Sequence, residues 1–271
     1  MNDMRGADAT TPAMPRLDLT PAPGSAPAVK MVVAHALMET KLVLRNGEQL
    51  LLALVIPLLL LLAGAKAGGV VDLGAGRRID VLTPGVMALA VLSAAFTSLA
   101  IATAYERRYG VLKRLGASPL SRASLLAGKV LSLLALETLQ LSAISALGVA
   151  LGWEPDGGLA AALSAVLLVV LGTLCLGSLG LLMAGTLRAE ATLAGANLVY
   201  VLLLVAGAVV VPAASYPDSL GSLATSLPSG ALAEGLREVL SGEGLAWTRA
   251  AVLCVWAVIG SAMTMRTFKW E

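Results

Sequence analysis

Residues 105–122, with the sequence YERRYGVLKRLGASPLSR, form a charged segment between two long apolar runs. Its charged side chains are Glu106, Arg107, Arg108, Lys113, Arg114 and Arg122. Such side chains either contact anionic lipid headgroups or form charge-assisted hydrogen bonds with a protein. Gly116 as a C-terminal cap, followed by Ser118-Pro119 as the start of a new helix, predicts a helix, a tight turn and a second helix, which lipid contact alone does not require. The pattern therefore favours docking of a partner in the cytoplasm.

A second polar feature, Glu137 with Gln140, lies inside an apolar run. Glu137 follows Lys129 by eight residues, a distance of about 12 Å along a helix. A charged side chain near the middle of a membrane costs about 2.5–3.5 kcal/mol. Two interpretations stay open: a polar patch in a substrate path, or a carboxyl group that is protonated or hydrogen-bonded to a neighbouring span or subunit. Lys129 is expected near the cytoplasmic interface, with its ammonium group reaching toward water.

The residue types that several enzyme and cofactor sites need are missing from this sequence. Gly128-Lys129 is not followed by Ser or Thr, so no phosphate-binding loop is completed. His35 is the only histidine, and Cys175 and Cys254 lie in apolar runs where they are interpreted as small buried hydrophobic residues. We therefore expect no catalytic residue, no metal site and no cofactor on this chain, and no nucleic-acid partner.

Composition predicts the architecture that must position these residues. The chain has 271 residues, of which 58% are hydrophobic and 13% are charged, whereas soluble domains are about one quarter charged. Apolar runs of about 20 residues, enough to cross a bilayer, recur along it. The sequence thus predicts an all-α, polytopic membrane protein with six transmembrane helices. The predicted spans are 49–65, 83–104, 120–151, 159–187, 191–211 and 245–265.

Local signals predict further elements around the spans. Residues 1–28 contain five prolines and are interpreted as a disordered cytoplasmic tail, which leaves 29–271 as one transmembrane domain. That domain begins with a predicted amphipathic helix, 28–46, lying in the membrane interface. Pro84 is expected in the first turn of the second span, and Ser118 and Pro119 at the start of the third. A small-residue face is predicted on the fourth span by Thr173, Gly177, Gly180 and Ala184.

Basic residues predict the orientation of the chain. With both termini in the cytoplasm, most Lys and Arg residues fall on the cytoplasmic side, and the opposite orientation reverses that bias. This orientation places the 105–122 segment in the cytoplasm. Residues 228–242 then lie outside, where a short amphipathic helix too polar to cross the membrane is predicted.

Several of these features are shared with one known family. Its members have an interfacial helix with a Glu and an Arg before the first span, as Glu39 and Arg45 stand here, and a proline inside that span, as Pro57 does. Their loop after the second span typically reads E-R-x-x-G-x-L-x-x-L, then T/S-P and a basic residue, which residues 106–115 and 118–122 match. A late P, L-R and G of the family correspond to Pro228, Leu236, Arg237 and Gly242.

Over roughly residues 30–268 the chain resembles the permeases of type-2 ATP-binding-cassette (ABC) exporters, the drug and polyketide efflux group in particular. The resemblance implies a plasma-membrane transporter subunit without enzymatic activity. It implies that a separate ABC ATP-binding subunit holds ATP and Mg²⁺, and that two permeases pair, as a homodimer or with a second permease. Closure of the dimer of ATP-binding subunits, driven by ATP, would move the loop helix and reorient the spans. The expected contacts with the ATP-binding subunit are Glu106, Arg107, Gly110, Leu112, Lys113, Arg114, Leu115 and Pro119.

The apolar spans favour a hydrophobic substrate such as a drug or a lipid, with membrane lipid as a further partner. Two other functions compete with export. One is a scaffold that does not transport and uses 105–122 to recruit a cytoplasmic partner. The other is an intramembrane enzyme, for example a lipid-modifying one, for which only Glu137 and Lys129 are available, at different depths. Measuring flux with and without an ATPase separates the scaffold from the exporter.

Overall fold

The computed structural model describes residues 26–66, 77–116 and 121–268, and within these ranges the chain forms helices and no β-strand. The predicted tail, 1–28, lies almost entirely outside the described residues. The α-helices in chain order are α1 (Ala28–Arg45), α2 (Gly47–Lys66), α3 (Arg78–Val91), α4 (Leu99–Arg108), α5 (Val111–Gly116), α6 (Arg122–Ala150), α7 (Gly158–Thr186), α8 (Ala189–Ala206), α9 (Asp218–Ser226), α10 (Pro228–Leu240) and α11 (Trp247–Thr267).

Five helical segments in the described part of the chain are long and apolar enough to cross a membrane. A shorter apolar helix, Ala53–Lys66 within α2, corresponds to the first predicted span and contains Pro57. The prediction of an all-α polytopic membrane protein is confirmed. The five long segments are Arg78–Arg108, Ala123–Ala150, Gly158–Thr186, Ala189–Ala206 and Trp247–Thr267.

One hydrophobic core joins most of these helices. It includes fully buried side chains from α2, α3, α7, α10 and α11. The amphipathic helix α10, predicted between Pro228 and Gly242, is confirmed, and it is packed into this core against α3, α7 and α11. Core residues in chain order include Leu61, Val86, Leu92, Leu176, Leu232 and Leu253.

The second span begins earlier than predicted. Its helix starts at Arg78, so the expectation that Pro84 lies in the first turn is wrong. The start is stabilised by Arg77, whose Nε donates to Oδ2 of Asp80 at 2.9 Å in the first turn. Proline lacks a backbone N–H, so Pro84 leaves one helical carbonyl without its usual donor.

A π-helix, Leu92–Ser98, joins α3 to α4 inside the second span. It packs against α7, where a Cβ atom on Gly180 would lie 2.7 Å from the carbonyl oxygen of Phe96. One turn earlier, a Cβ atom on Gly177 would lie 3.4 Å from the Leu99 side chain. The predicted small-residue face of the fourth span is thus confirmed as a face of close helix contact.

Replacing Gly180 with Ala is expected to lower the free energy of unfolding by about 1–2 kcal/mol, because the added methyl group would overlap the Phe96 carbonyl. The matched control is Gly177→Ala, whose methyl group makes an ordinary contact while helix propensity improves by up to about 1 kcal/mol. The midpoint of thermal unfolding of each purified variant in detergent, followed by tryptophan fluorescence, measures the two effects. Equal midpoints for the two variants would contradict the close approach of α7 to the π-helix.

Residues 105–116 form the last turn of α4, a turn at Tyr109 and Gly110, and the short helix α5, whereas the turn predicted between Gly116 and Ser118 lies outside the described residues. Helix α4 ends at Arg108, Gly110 takes a φ of +69° that favours glycine, and α5 follows directly. The predicted start of the third span, Ser118 and Pro119, lies outside the described residues. The described start of α6 is capped by Ser121, whose Oγ accepts a hydrogen bond from the Ser124 N–H at 3.1 Å.

The chain between the fifth and sixth spans differs from the prediction. Helix α8 ends at Ala206, before the expected limit of Val211, and Ala208 has a φ of +50°. The Ser229 hydroxyl donates to the Leu203 carbonyl at 2.8 Å, so the start of α10 is held against the last turn of α8. Helix α9 was not predicted, because its nine residues carry no strong apolar run.

Candidate functional site

Three elements meet at an ionic cluster, defined by Glu39, Glu106 and Lys129. The Nζ atom of Lys129 on α6 lies 2.7 Å from Oε1 of Glu106 on α4 and 3.2 Å from Oε1 of Glu39 on α1. The Lys129 side chain is only 5% exposed, against 20% for Glu39 and 22% for Glu106. The expectation that the Lys129 ammonium reaches toward water is therefore wrong, because two carboxylates hold it inside the bundle. The cluster joins α1, α4 and α6.

His35 completes the surroundings of the ionic cluster. Its Nε2 lies 3.6 Å from Oε1 of Glu39 and has no hydrogen-bond partner among the described residues. The ring packs on α6 at Gly128, where a Cβ atom would lie 2.5 Å from the His35 Cδ2. Glycine at this position is what allows α1 to approach α6. Two carboxyl groups therefore share one ammonium group at this point of the bundle.

The last turn of α4 also binds the connection between α7 and α8. The Arg107 guanidinium donates to the Leu187 carbonyl, and Arg108 forms an ion pair with Glu190. Glu106 and Arg107, which were predicted as contacts with an ATP-binding subunit, thus have partners within the chain. Their contact with such a subunit stays a prediction.

Helix α5 exposes a basic surface and is held by one buried leucine. Leu112 is 2% exposed, whereas Lys113 and Arg114 are exposed, and Leu115 is half-buried. The turn at Gly110 places this helix immediately after the anchored end of α4. Pro119, the last of the predicted contacts, lies outside the described residues. The structure therefore presents two cationic side chains on a short helix whose base is fixed.

Glu137 and Gln140 contact different neighbours. The Thr173 hydroxyl on α7 donates to Oε2 of Glu137 at 2.6 Å, and Nε2 of Gln140 donates to the Ala53 carbonyl on α2 at 2.9 Å. Both side chains are buried, and Oε1 of each lacks a hydrogen-bond partner among the described residues. The Thr173 contact agrees with the interpretation of Glu137 as hydrogen-bonded to a neighbouring span, and Gln140 bonds to a different span.

A groove of about 570 Å³ lies between α6 and α7, with side chains of α3 and α10 as its floor. Glu137 stands near one end of the groove, and Trp153 with Asp156 stands at the other. The rest of the wall is mostly aliphatic, with a few hydroxyl groups from α6. No groove was predicted from the sequence, because a gap between two helices depends on how they pack and not on the composition of either helix.

Arg237 on α10 is a buried cation whose partners the sequence did not reveal. Its Nη1 donates to the Ala208 carbonyl at 3.2 Å and lies 2.9 Å from Oε1 of Glu234. That same Oε1 accepts a hydrogen bond from the Ala213 N–H at 2.7 Å. Burial lowers the pKa of the Arg237 guanidinium, and the Glu234 carboxylate opposes that shift. The one signal in the sequence is the Leu-Arg pair within an otherwise apolar helix face.

Comparison with known proteins gives one family. Residues 34–240 match the family model of the ABC-2 type transporter, a region that contains the ionic cluster, α5, the groove and Arg237. A comparison with curated proteins gave no match. The family match covers most of the chain, and the fold that carries it is a helical bundle with apolar spans. The chain therefore belongs to the ABC-2 type transporter family, and it is a permease, the membrane-spanning and non-catalytic subunit of an ABC transporter.

Proposed function

We propose that this permease exports a hydrophobic substrate, such as a drug or a lipid, from the cytoplasm or the inner leaflet of the plasma membrane. A separate ABC ATP-binding subunit binds ATP and Mg²⁺ and supplies the energy. Both termini lie in the cytoplasm in this proposal, so that α5 faces the ATP-binding subunit. Two permeases, as a homodimer or with a second permease, form the transport pathway. The efflux assignment is supported by the resemblance of the 106–122 loop to drug and polyketide exporters.

The observation that carries the proposal is the contrast between the two sides of α5. Leu112 is buried, while Lys113 and Arg114 are exposed and form no ion pair with the described residues. A short helix of this kind offers a cationic surface for an acidic cleft on a partner. Exposed charges set the register and rate of association more than its strength, so they suit a docking contact.

The contacts at the base of α5 support its role in transmitting movement. A displacement of α5 acts on the last turn of α4, which is bound to α1 and α6 through the ionic cluster. It also acts on the connection between α7 and α8 through Arg107 and Arg108. Rigid elements joined by charge pairs transmit displacement, whereas a flexible loop absorbs it. In this proposal Glu106 and Arg107 position the segment, and Lys113 with Arg114 contacts the ATP-binding subunit.

The test is the charge-reversed variant Lys113→Glu/Arg114→Glu, co-expressed with an ABC ATP-binding subunit. We expect ATP-driven efflux of the hydrophobic dye Nile red to fall at least tenfold, because reversal places two like charges against the acidic cleft. The amount of chain inserted in the membrane should stay the same. The readouts are dye efflux from cells and ATP hydrolysis by the purified complex.

The matched control is Lys30→Glu/Arg266→Glu, which reverses two exposed cations outside α5. This control should transport like the unchanged chain. Normal efflux by the α5 variant would show that α5 is not the coupling contact. A complex that binds the ATP-binding subunit but moves no dye in any form would favour the scaffold function instead.

A further inference from the structure

The groove between α6 and α7 has the shape of a ligand site. Its residues on α6 run from Leu134 to Val149, a length of about 22 Å along a helix. Its volume of about 570 Å³ lies within the range of pockets that hold small organic molecules. Ala162 and Val166 on α7 face it and are exposed, so the groove is open along that side. An apolar molecule could therefore enter it from the membrane.

Acceptors outnumber donors among the side-chain polar groups in the wall of the groove, where Ser145 and Trp153 can each donate one hydrogen bond. Among the described residues that line it, Glu137 and Asp156 are acidic and none is Lys, Arg or His. The hydroxyl hydrogens of Thr138 and Ser142 are used by helix carbonyls at 2.7 Å each, which leaves their oxygen lone pairs facing outward. Oε1 of Glu137 has no partner among the described residues. A ligand that meets these groups must carry hydrogen-bond donors, and preferably a positive charge.

We propose that this groove binds lipophilic cations, with an aromatic or alicyclic body along the aliphatic wall and a protonated amine toward Glu137. Asp156, an exposed acid at the other end of the groove, attracts the cation as it approaches. An acyl chain would fill the same volume but leave Oε1 of Glu137 unpaired, and an anionic headgroup would be repelled by Asp156. The inference rests on the proposed export function only for the step from binding to transport.

The test uses the purified full-length chain in lipid nanodiscs without an ATP-binding subunit. Three probes share one apolar body: 1-pyrenebutylamine is cationic, 1-pyrenebutanol is neutral and 1-pyrenebutyrate is anionic. Energy transfer from tryptophan to pyrene reports binding, because Trp153 lies in the groove wall. Empty nanodiscs give the partition into lipid. We expect the amine to bind at least tenfold more tightly than either of the other probes.

Two variants locate the binding. Glu137→Gln removes the carboxyl group but keeps an oxygen that can accept from Thr173, and it should bring the affinity for the amine within about threefold of that for the alcohol. Ala162→Phe narrows the groove away from Glu137 and should weaken binding of all three probes. The control Glu154→Gln removes an exposed acid that pairs with Arg77 outside the groove, and it should bind the amine normally.

Equal affinity for the three probes would overturn the inference and indicate an apolar groove filled by lipid chains. An unchanged affinity for the amine in Glu137→Gln, in a chain that remains monodisperse, would overturn it too, as would the lack of saturable binding. Failure of the export proposal looks different: the amine would bind as expected while the complex with an ATP-binding subunit moved no dye.

Discussion

Replacing Lys129 with Met is expected to lower the free energy of unfolding by about 3–5 kcal/mol, because two largely enclosed carboxylates lose their shared cation. Glu39 and Glu106 would then face each other across the space between α1 and α4, with like charges and incomplete hydration. The measurement is unfolding of the purified chain in detergent with increasing denaturant, followed by tryptophan fluorescence. Because three helices meet at Lys129, ATP-driven efflux should fall in parallel.

Two further variants separate the effect of the Lys129 charge on stability from the effect of the Lys129 side-chain shape. Lys129→Arg keeps the cation and should retain most of the stability. Adding Glu39→Gln and Glu106→Gln to Lys129→Met removes the whole cluster and should recover at least half of the loss, since a fully neutral set of similar volume often matches a buried ion pair. A Lys129→Met chain within about 1 kcal/mol of the original would contradict the view that the cluster is enclosed.

Replacing Arg237 with Met is expected to lower the free energy of unfolding by about 3 kcal/mol. The substitution leaves the Ala208 carbonyl without its donor and leaves the Glu234 carboxylate uncompensated inside the bundle. Both groups lie where the end of α8 meets α10. We expect this region to loosen, which hydrogen exchange of residues 207–216 would report as faster labelling.

The control for Arg237 is Arg249→Met on α11. Arg249 pairs with Glu238 at 2.9 Å, but the side chains are 23% and 31% exposed, so water can replace the contact. Its loss should cost about 1 kcal/mol or less. Equal losses for the two variants would show that burial of Arg237 is not what makes its contacts matter.

The spans themselves could be predicted because each is a local property of the sequence. Long apolar runs bounded by Gly, Pro or charged residues predicted α6, α7 and α11. The amphipathic pattern that begins at Pro228 predicted α10. The limit of α8 at Ala206 could not be read in the same way. Residues 207–211 are as apolar as the helix before them, and the Ser229 contact with Leu203 near the end of α8 comes from a distant part of the chain.

The ionic cluster could not be predicted because its members are distant in sequence. Lys129 is 90 residues from Glu39 and 23 from Glu106, and no helical periodicity relates them. The prediction that Glu137 and Gln140 share one patch came from their spacing on α6. That spacing does not reveal the partners, which α2 supplies to Gln140 and α7 to Glu137.

The π-helix of the second span determines how the side chains of α4 are rotated about the helix axis relative to those of α3. A π turn holds one residue more than an α turn, which shifts the following residues by roughly 100° about the axis. With this offset α3 packs on α10, while α4 packs on α7 and α8 and directs Glu106 at Lys129. An uninterrupted α-helix of the same length would turn a neighbour of Glu106 toward that ammonium group. One extra residue beside Gly180 thus lets the two halves of a single span satisfy different sets of neighbours.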